Sequence, residues 1–525
     1  MSATASAASA DPTWRIELHN EEATAALAAR IAEWVRPGDL IALSGDLGAA
    51  KTTFARALIR RLTGDPELEA PSPTFTLMQV YEAPAYQIVH ADLYRIKQPE
   101  ELFNLGWEEA TEGALTLVEW PERGGDLINP ERLEIAFALD ASRGANYRQA
   151  TLQGRGGWAA RLARARGIEA ILARAGWSQA KRIFMQGDAS VRSYEKLVAP
   201  SDETAILMIS PPRPDGPIVR YGKPYGAIAK LSDDIGAFIA MDQALRAQGF
   251  SAPRILAHNV ADGMAVLEDI GAQYIADASG PNAVRYTEAV SLLAELHGRT
   301  LPRELPVDDE TYAIPVYDAE AMLIEVELLI DWYAPHVAKV SPASGARAQF
   351  LGLWRDALTP ILAQPISWTL RDFHSPNLHW LPERDGLKRI GLVDFQDCVL
   401  GPNAYDLASL LQDARVDIID EMELRLMAHY MRRRAAADPA FDMGAFTAAY
   451  AVMGAQRATK ILGLFARLDK RDGKPQYLAH LPRIEAYLAK GLAHPLMQPI
   501  KLWYQTHLPR ALEGEAGLAE QQPTE

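Results

Sequence analysis

Residues 368–380 read WTLRDFHSPNLHW, and residues 391–411 read GLVDFQDCVLGPNAYDLASLL. The first stretch supplies Asp372 and, five residues on, Asn377; the second supplies Asp394, seventeen residues further, on an apolar run with strand character. Phosphoryl transfer asks little covalent chemistry of a protein. It needs a carboxylate to orient the acceptor hydroxyl and hard oxygen ligands to hold Mg²⁺ against the phosphates. Asp372 fits the first role, and Asn377 and Asp394 fit the second. Asp397 is a second acid near the metal strand or a turn residue, and Asp406 reads as a cap that brances the loop from the AYDLASLL helix. His374, inside the loop, reads as a packing or substrate-contact residue, and Cys398 as a buried inert thiol.

Working outward, the composition resets at about Ile183. A strand-rich stretch runs to Gly271, and long helical patterns with interspersed Trp and Tyr continue to about Leu508. That order predicts a small β lobe, 181–271, and a larger helical lobe, 272–510, within one domain. Upstream, from Trp14 to about Gly157, apolar or β-branched runs alternate with helical ones, the pattern of an α/β layer fold. The domains expected are therefore 14–157 and 181–510. The Ala/Arg-rich stretch 158–180 reads as a helical connector or a helix opening the second domain, with membership in either core the competing reading. A leader over 1–13 and an acidic tail over 511–525 are expected to be disordered.

In the first domain the strand DLIALSGDLG (39–48) ends in glycines and leads into the helical TTFARALIRRLTG. Gly45, Asp46, Gly48, Ala50, Lys51 and Thr52 thus sit where a phosphate-binding loop belongs, between strand and helix. Backbone N–H groups would cradle phosphate oxygens, Lys51 would pair with the β/γ-phosphates and Thr52 would ligate Mg²⁺. Ala50 stands where a second glycine is usual, at a cost of order 1 kcal/mol if its φ is positive.

With 525 residues, two or three domains are expected. The 48% apolar and 23% charged composition is that of a soluble globular protein, and no apolar run approaches the roughly 18 residues that span a bilayer. The single cysteine excludes intrachain disulfides and thiolate metal clusters, which places the chain in a reducing, cytoplasmic compartment. A net charge of −15 opposes non-specific nucleic-acid binding, so any RNA connection is expected to run through a partner.

Four motifs in order, the loop at 45–52, SPTF (72–75), HADLYR (90–95) and LVEWPER (117–123), resemble the P-loop ATPase subunit of bacterial tRNA threonylcarbamoyladenosine biosynthesis. The resemblance implies an ATPase that energises a complex of partner proteins. It carries Lys51 and Thr52 over as phosphate and metal ligands, Thr53 as a hydroxyl near the γ-phosphate, and Asp92 and Glu119 as acids near the metal or attacking water. Residues 180–505 resemble the aminoglycoside phosphotransferase superfamily, a protein-kinase-like fold. GDASVRSYEKL (187–197), the LMISPP strand and VDFQD bring them nearest the cell-wall-recycling kinases of N-acetylmuramate and N-acetylglucosamine. Through this resemblance Ser190 and Arg192, in the nucleotide-covering turn, and Glu268, in the VLEDIG hinge, are expected at the ATP. An aminoglycoside, choline, homoserine or similar acceptor is the alternative, as is a regulatory nucleotide-binding module. Two departures stand out: Leu370 occupies the place of the usual loop histidine, and Met208 that of the small-lobe lysine.

Overall fold

A computed structural model describes residues 13–185, 192–212, 216–232 and 234–512. The chain divides into two compact units, one ending at Ala173 and the other beginning at Arg174.

In the first unit, apolar alternation is what builds the layers. Strand β2 (Leu40–Ser44) sends Ile41 and Leu43 into one core and Leu40 and Ala42 into another. Around it lie β1 (Thr13–Leu18), β3 (Met78–Glu82), β4 (Gln87–Asp92), β5 (Leu115–Glu119), β6 (Leu133–Leu139) and β7 (Arg148–Gly154), in the order β1-β7-β6-β2-β5-β4-β3. The central four are parallel, and β3, β7 and β1 extend the sheet antiparallel. Helix α1 (Glu21–Ala32) is capped by the Asn20 side chain, and α2 (Lys51–Thr63) follows β2 through the glycine loop. A Cβ on Gly45 would collide with the Phe137 carbonyl, so only glycine lets the loop lie against β6.

The stretch expected as a connector is helical over Gly157–Ala175 (α3), but it is built into the first unit. Trp158 and Leu162 enter that unit's core, and Arg161 stacks 4.0 Å over Trp158 while donating to both Asp39 oxygens at 2.6 and 2.9 Å. Connector and core residue are not alternatives here, because one face of the helix is apolar.

The second unit holds a five-stranded antiparallel sheet of β8 (Lys181–Met185), β9 (Ser193–Val198), β10 (Thr204–Ile209), β11 (Ile255–Asn259) and β12 (Met264–Glu268), ordered β11-β12-β10-β9-β8. Within the stretch read as strand-rich lies a helix, Ile235–Ala247, started by the Asp234 side chain on the Gly236 N–H and dominated by buried apolar residues. The larger lobe is helical, and one continuous core runs through both lobes. Its long helix Met443–Asp472 packs so closely on Ala319–Leu328 that a Cβ on Gly463 would collide with the Leu328 backbone. At the end of the described residues, Pro509–Leu512 forms a turn with Ala511 buried, so Ala511 and Leu512 are ordered where the tail was expected to start. The leader up to Pro12 and the residues from Glu513 lie outside the described residues. Among the described residues no helix is long and apolar enough to cross a membrane.

Trp158→Ala is expected to cost the first unit about 3–5 kcal/mol, the penalty for emptying a buried aromatic site. Calorimetry should show one of two unfolding transitions moving down; an unmoved pair would contradict the place of this helix.

Candidate active sites

The first unit presents a cavity of about 480 Å³ at the carboxyl ends of its parallel strands. Gly48, Ala50, Lys51, Thr52, Thr53, Asp92 and Glu119 all line it. Ala50 is the N-cap of α2 with φ 89°, so the expected strain is present, a cost of about 1–2 kcal/mol. Gly48 has φ 78° with open space around it. Lys51 Nζ donates to the carbonyls of Gly45 (2.7 Å) and Asp46 (2.9 Å) and lies 3.9 Å over the Trp120 ring. Burial lowers its pKa, opposed by the charges of Glu119 and Asp92.

The two acids sit side by side because β4 and β5 are parallel and in register, Asp92 opposite Glu119. Glu119, 2% exposed, accepts from the Thr52 hydroxyl at 3.0 Å. Asp92 is spent differently, accepting from Ser72 Oγ (2.5 Å), Thr74 Oγ1 (2.9 Å) and the Tyr94 N–H (3.0 Å). It therefore fixes the SPTF loop at the cavity wall. Asn20, Tyr94, Trp120 and Arg148 also line the cavity; Asn20 and Arg148 lie outside the sequence motifs, whereas Tyr94 belongs to HADLYR and Trp120, with φ 58°, to LVEWPER.

In the second unit the structure brings Asp372, Asn377 and Asp394 together. Asn377 Nδ2 donates to the Asp372 carbonyl at 3.0 Å and lies 3.5 Å from Asp394 Oδ2, which leaves the amide oxygen for a cation. Both Asp372 and Asp394 have raised pKa values. For Asp372 the cause is burial, partly offset by Lys460, with Asp397 adding to it; for Asp394 it is burial and then the charge of Asp372. The Asp394 carboxylate and the Asn377 amide oxygen form a donor pair suited to a hard divalent cation, with the Asp372 carboxylate beside them. Arg192 Nη1 reaches Asp394 Oδ1 at 3.0 Å, and Gln396 Nε2 donates to the same oxygen at 2.8 Å.

The backbone under this site is strained, with φ 66° at Arg371 and 59° at Asp394. What holds it is polar and buried. Asp406, fully buried, accepts the Leu370 and Arg371 N–H groups at 2.7 and 2.8 Å, which makes it the expected brace. The Arg371 guanidinium donates to the Ala229 carbonyl at 2.9 Å and pairs with Glu325, which Lys460 Nζ meets at 3.0 Å and Gln456 Nε2 at 3.1 Å. Asp413 accepts the Ser375 N–H and hydroxyl at 3.0 and 2.7 Å. Asp397 accepts the Ser232 N–H at 2.6 Å; against the effect of burial, Arg371 and this bond hold its pKa down. Burial takes His374 down to about 4, so it is neutral near pH 7 and lies 3.9 Å from Asp372. Glu325, Lys460 and Asp413 escaped sequence reading.

Three expected cofactor residues fare differently. Arg192 is at the site. The Glu268 carboxylate is occupied elsewhere, by Arg384 Nη2 (2.7 Å) and the Arg254 N–H (2.9 Å). Ser190 lies outside the described residues. Lys196 pairs with the hinge residue Asp269 at 2.9 Å. Met208 is buried between Tyr194 and Ala265 on neighbouring strands. The apolar strand expected to carry Asp394 ends at Leu392, so Asp394 lies just beyond it, and the next residue, Phe395, stacks at 5.1 Å on Phe238 of the Ile235–Ala247 helix.

That helix also carries Asp242, 1% exposed with neither carboxyl oxygen partnered among the described residues. Burial pushes it up to about 8, so it is largely protonated at neutral pH. Its folded pKa exceeds the unfolded value, so stability is fully present below pH 4 and is lost as pH rises towards 8. Asp242→Asn should therefore raise the melting temperature, with a gain that grows from pH 5 to 8 and then levels off. A gain independent of pH would refute the buried-acid assignment.

The sequence model of the family described as "Threonylcarbamoyl adenosine biosynthesis protein TsaE" matches residues 18–148, and that of the "Phosphotransferase enzyme family" matches 184–442. The N-acetylmuramate/N-acetylglucosamine kinase of Caulobacter vibrioides is 36% identical over 352 residues, covering 65% of this chain and 95% of the relative. The protein of that name from Neisseria meningitidis is 32% identical, covering 58% of this chain and 84% of its own length. The tRNA threonylcarbamoyladenosine biosynthesis protein TsaE of Rickettsia felis is 45% identical over 118 residues, 22% of this chain and 68% of the relative.

Proposed function

The chain belongs to the TsaE family through its first unit and to the N-acetylmuramate/N-acetylglucosamine kinase family through its second, and on that premise we propose a bifunctional, cytoplasmic protein. The second unit transfers a phosphoryl group from ATP to the anomeric hydroxyl of N-acetylmuramate or N-acetylglucosamine in peptidoglycan recycling. The first is the ATPase that supports threonylcarbamoyladenosine modification of tRNA, acting on RNA through protein partners, as the net charge of −15 suggests.

The observation that supports the kinase reading most is the convergence of Asp372, Asn377 and Asp394 on a backbone held in strained conformations. Asp372 orients the acceptor hydroxyl and receives its proton as the new O–P bond forms and the bond from the γ-phosphorus to its bridging oxygen breaks, releasing ADP. Asn377 and Asp394 hold Mg²⁺, which when bound neutralises charge on the transferring phosphates. Arg192 faces the same phosphates from the small lobe, supplying the positive charge that Met208 cannot. In the first unit, Lys51 and the loop N–H groups bind phosphate, Thr52 holds Mg²⁺ and Glu119 faces the attacking water.

With Mg-ATP and either amino sugar, the phosphorus resonance of the product should couple to the anomeric proton. Asp372→Ala should lower turnover by about 10²–10⁴-fold, the span expected for a lost proton acceptor. Lys51→Ala should leave it unchanged. Preferential phosphorylation of an aminoglycoside or choline would overturn the acceptor assignment.

A further inference from the structure

Within the proposed first-unit site, and resting on the reading of Glu119 as its working carboxylate, we propose that His90 is a positioning residue. Its imidazole sets the direction of the Glu119 carboxylate and, through it, of the Thr52 hydroxyl. His90 lies on β4, two residues before Asp92, and is wholly buried. The register of β4 on β5 places His90 opposite Leu117 and Asp92 opposite Glu119. Because side chains alternate along a strand, His90 and Glu119 emerge on one face of the sheet, a step apart. His90 Nε2 is 3.0 Å from Glu119 Oε1, and Glu119 Oε2 accepts from Thr52 Oγ1 at 3.0 Å. The three side chains thus form a line from the middle of β4, across β5, to the first turn of α2.

A carboxylate this deeply buried is costly without donors, and here each oxygen has one. The hydrogen bonding also selects the tautomer. A proton on Nε2 donates to the carboxylate and leaves Nδ1 as a bare lone pair, and Nδ1 has no hydrogen-bond partner among the described residues. An unpartnered acceptor is tolerable there, whereas a protonated Nδ1 would be an orphaned donor. His90 is therefore a donor of fixed direction through Nε2. It does not line the nucleotide cavity, so it acts only through Glu119. With His90 gone, the carboxylate is free to turn about its last torsion, and Thr52 loses the oxygen that orients its hydroxyl.

The experiment measures steady-state ATP hydrolysis by the full chain in an Asp372→Ala background, with Lys51→Ala/Asp372→Ala as the blank. His90→Ala should lower kcat about 10–100-fold, as loss of an outer partner commonly does. KM should stay near the parent value, because the phosphate contacts of the loop remain. His90→Gln, whose amide N–H donates from nearly the position of Nε2, should restore most of kcat. Unchanged kcat in His90→Ala overturns the proposal. So does equal impairment of the Ala and Gln variants together with a common fall in melting temperature, which marks a packing role. Glu119→Gln separates the two layers of argument: parent-like hydrolysis there refutes the reading of Glu119 itself, whereas its loss beside an unaffected His90→Ala refutes the positioning role alone.

Discussion

Everything at the second site hangs on the Arg371 segment being held in a conformation that an L-residue adopts reluctantly. At φ 66° this backbone would relax unless its N–H groups and side chain were claimed, and Asp406 and Glu325 claim them from two separate helices. Both acids are fully buried. Removing one member of such a buried ionic set commonly costs about 3–5 kcal/mol, because the remaining charge is left without a partner. The set is expensive to build and correspondingly hard to deform. The result is a loop that places Asp372 and Asn377 without relying on the histidine that Leu370 replaces; Leu370 is buried in the apolar core and contributes its N–H instead.

The same constraint, a buried carboxylate obliged to find donors, organises the first unit with different materials. There the acids stand at the ends of parallel strands, and register alone puts Asp92 and Glu119 together. Asp92 gathers hydroxyls and a backbone N–H from the SPTF and HADLYR loops, while Glu119 reaches the Thr52 hydroxyl at the start of α2. Both units thus hold buried carboxylates in place by satisfying them with protein groups. Strain at Ala50, Arg371 and Asp394 marks the places where backbone is held against its preference, and all three lie at the sites.

Legibility in the sequence followed the range of the interactions. The glycine loop and the spacing of Asp372, Asn377 and Asp394 are local, so strand-to-helix context and residue type were enough to find them. Asp406 was legible as a brace because its helix, Ala404–Leu411, begins shortly after Asp394 in the chain. Glu325 and Lys460 were not, since their partnership with Arg371 depends on two helices meeting at Gly463, far along the chain. The Arg384 partner of Glu268 was equally illegible, because it lies 116 residues downstream. The Ile235–Ala247 helix was hidden by composition, because its buried apolar run resembles a strand in any short window. Trp158 shows the reverse case, where helical period was plain but the core it joins was not.

On the proposed function each of the two units binds its own nucleotide. Titration calorimetry of the full chain with a non-hydrolysable ATP analogue and Mg²⁺ tests it most directly. Two sites per chain are predicted, reduced to one by Lys51→Ala, to one by Asp394→Ala and to none by the pair together. A single site in the parent chain, or loss of both with either substitution alone, would contradict a nucleotide site in each unit.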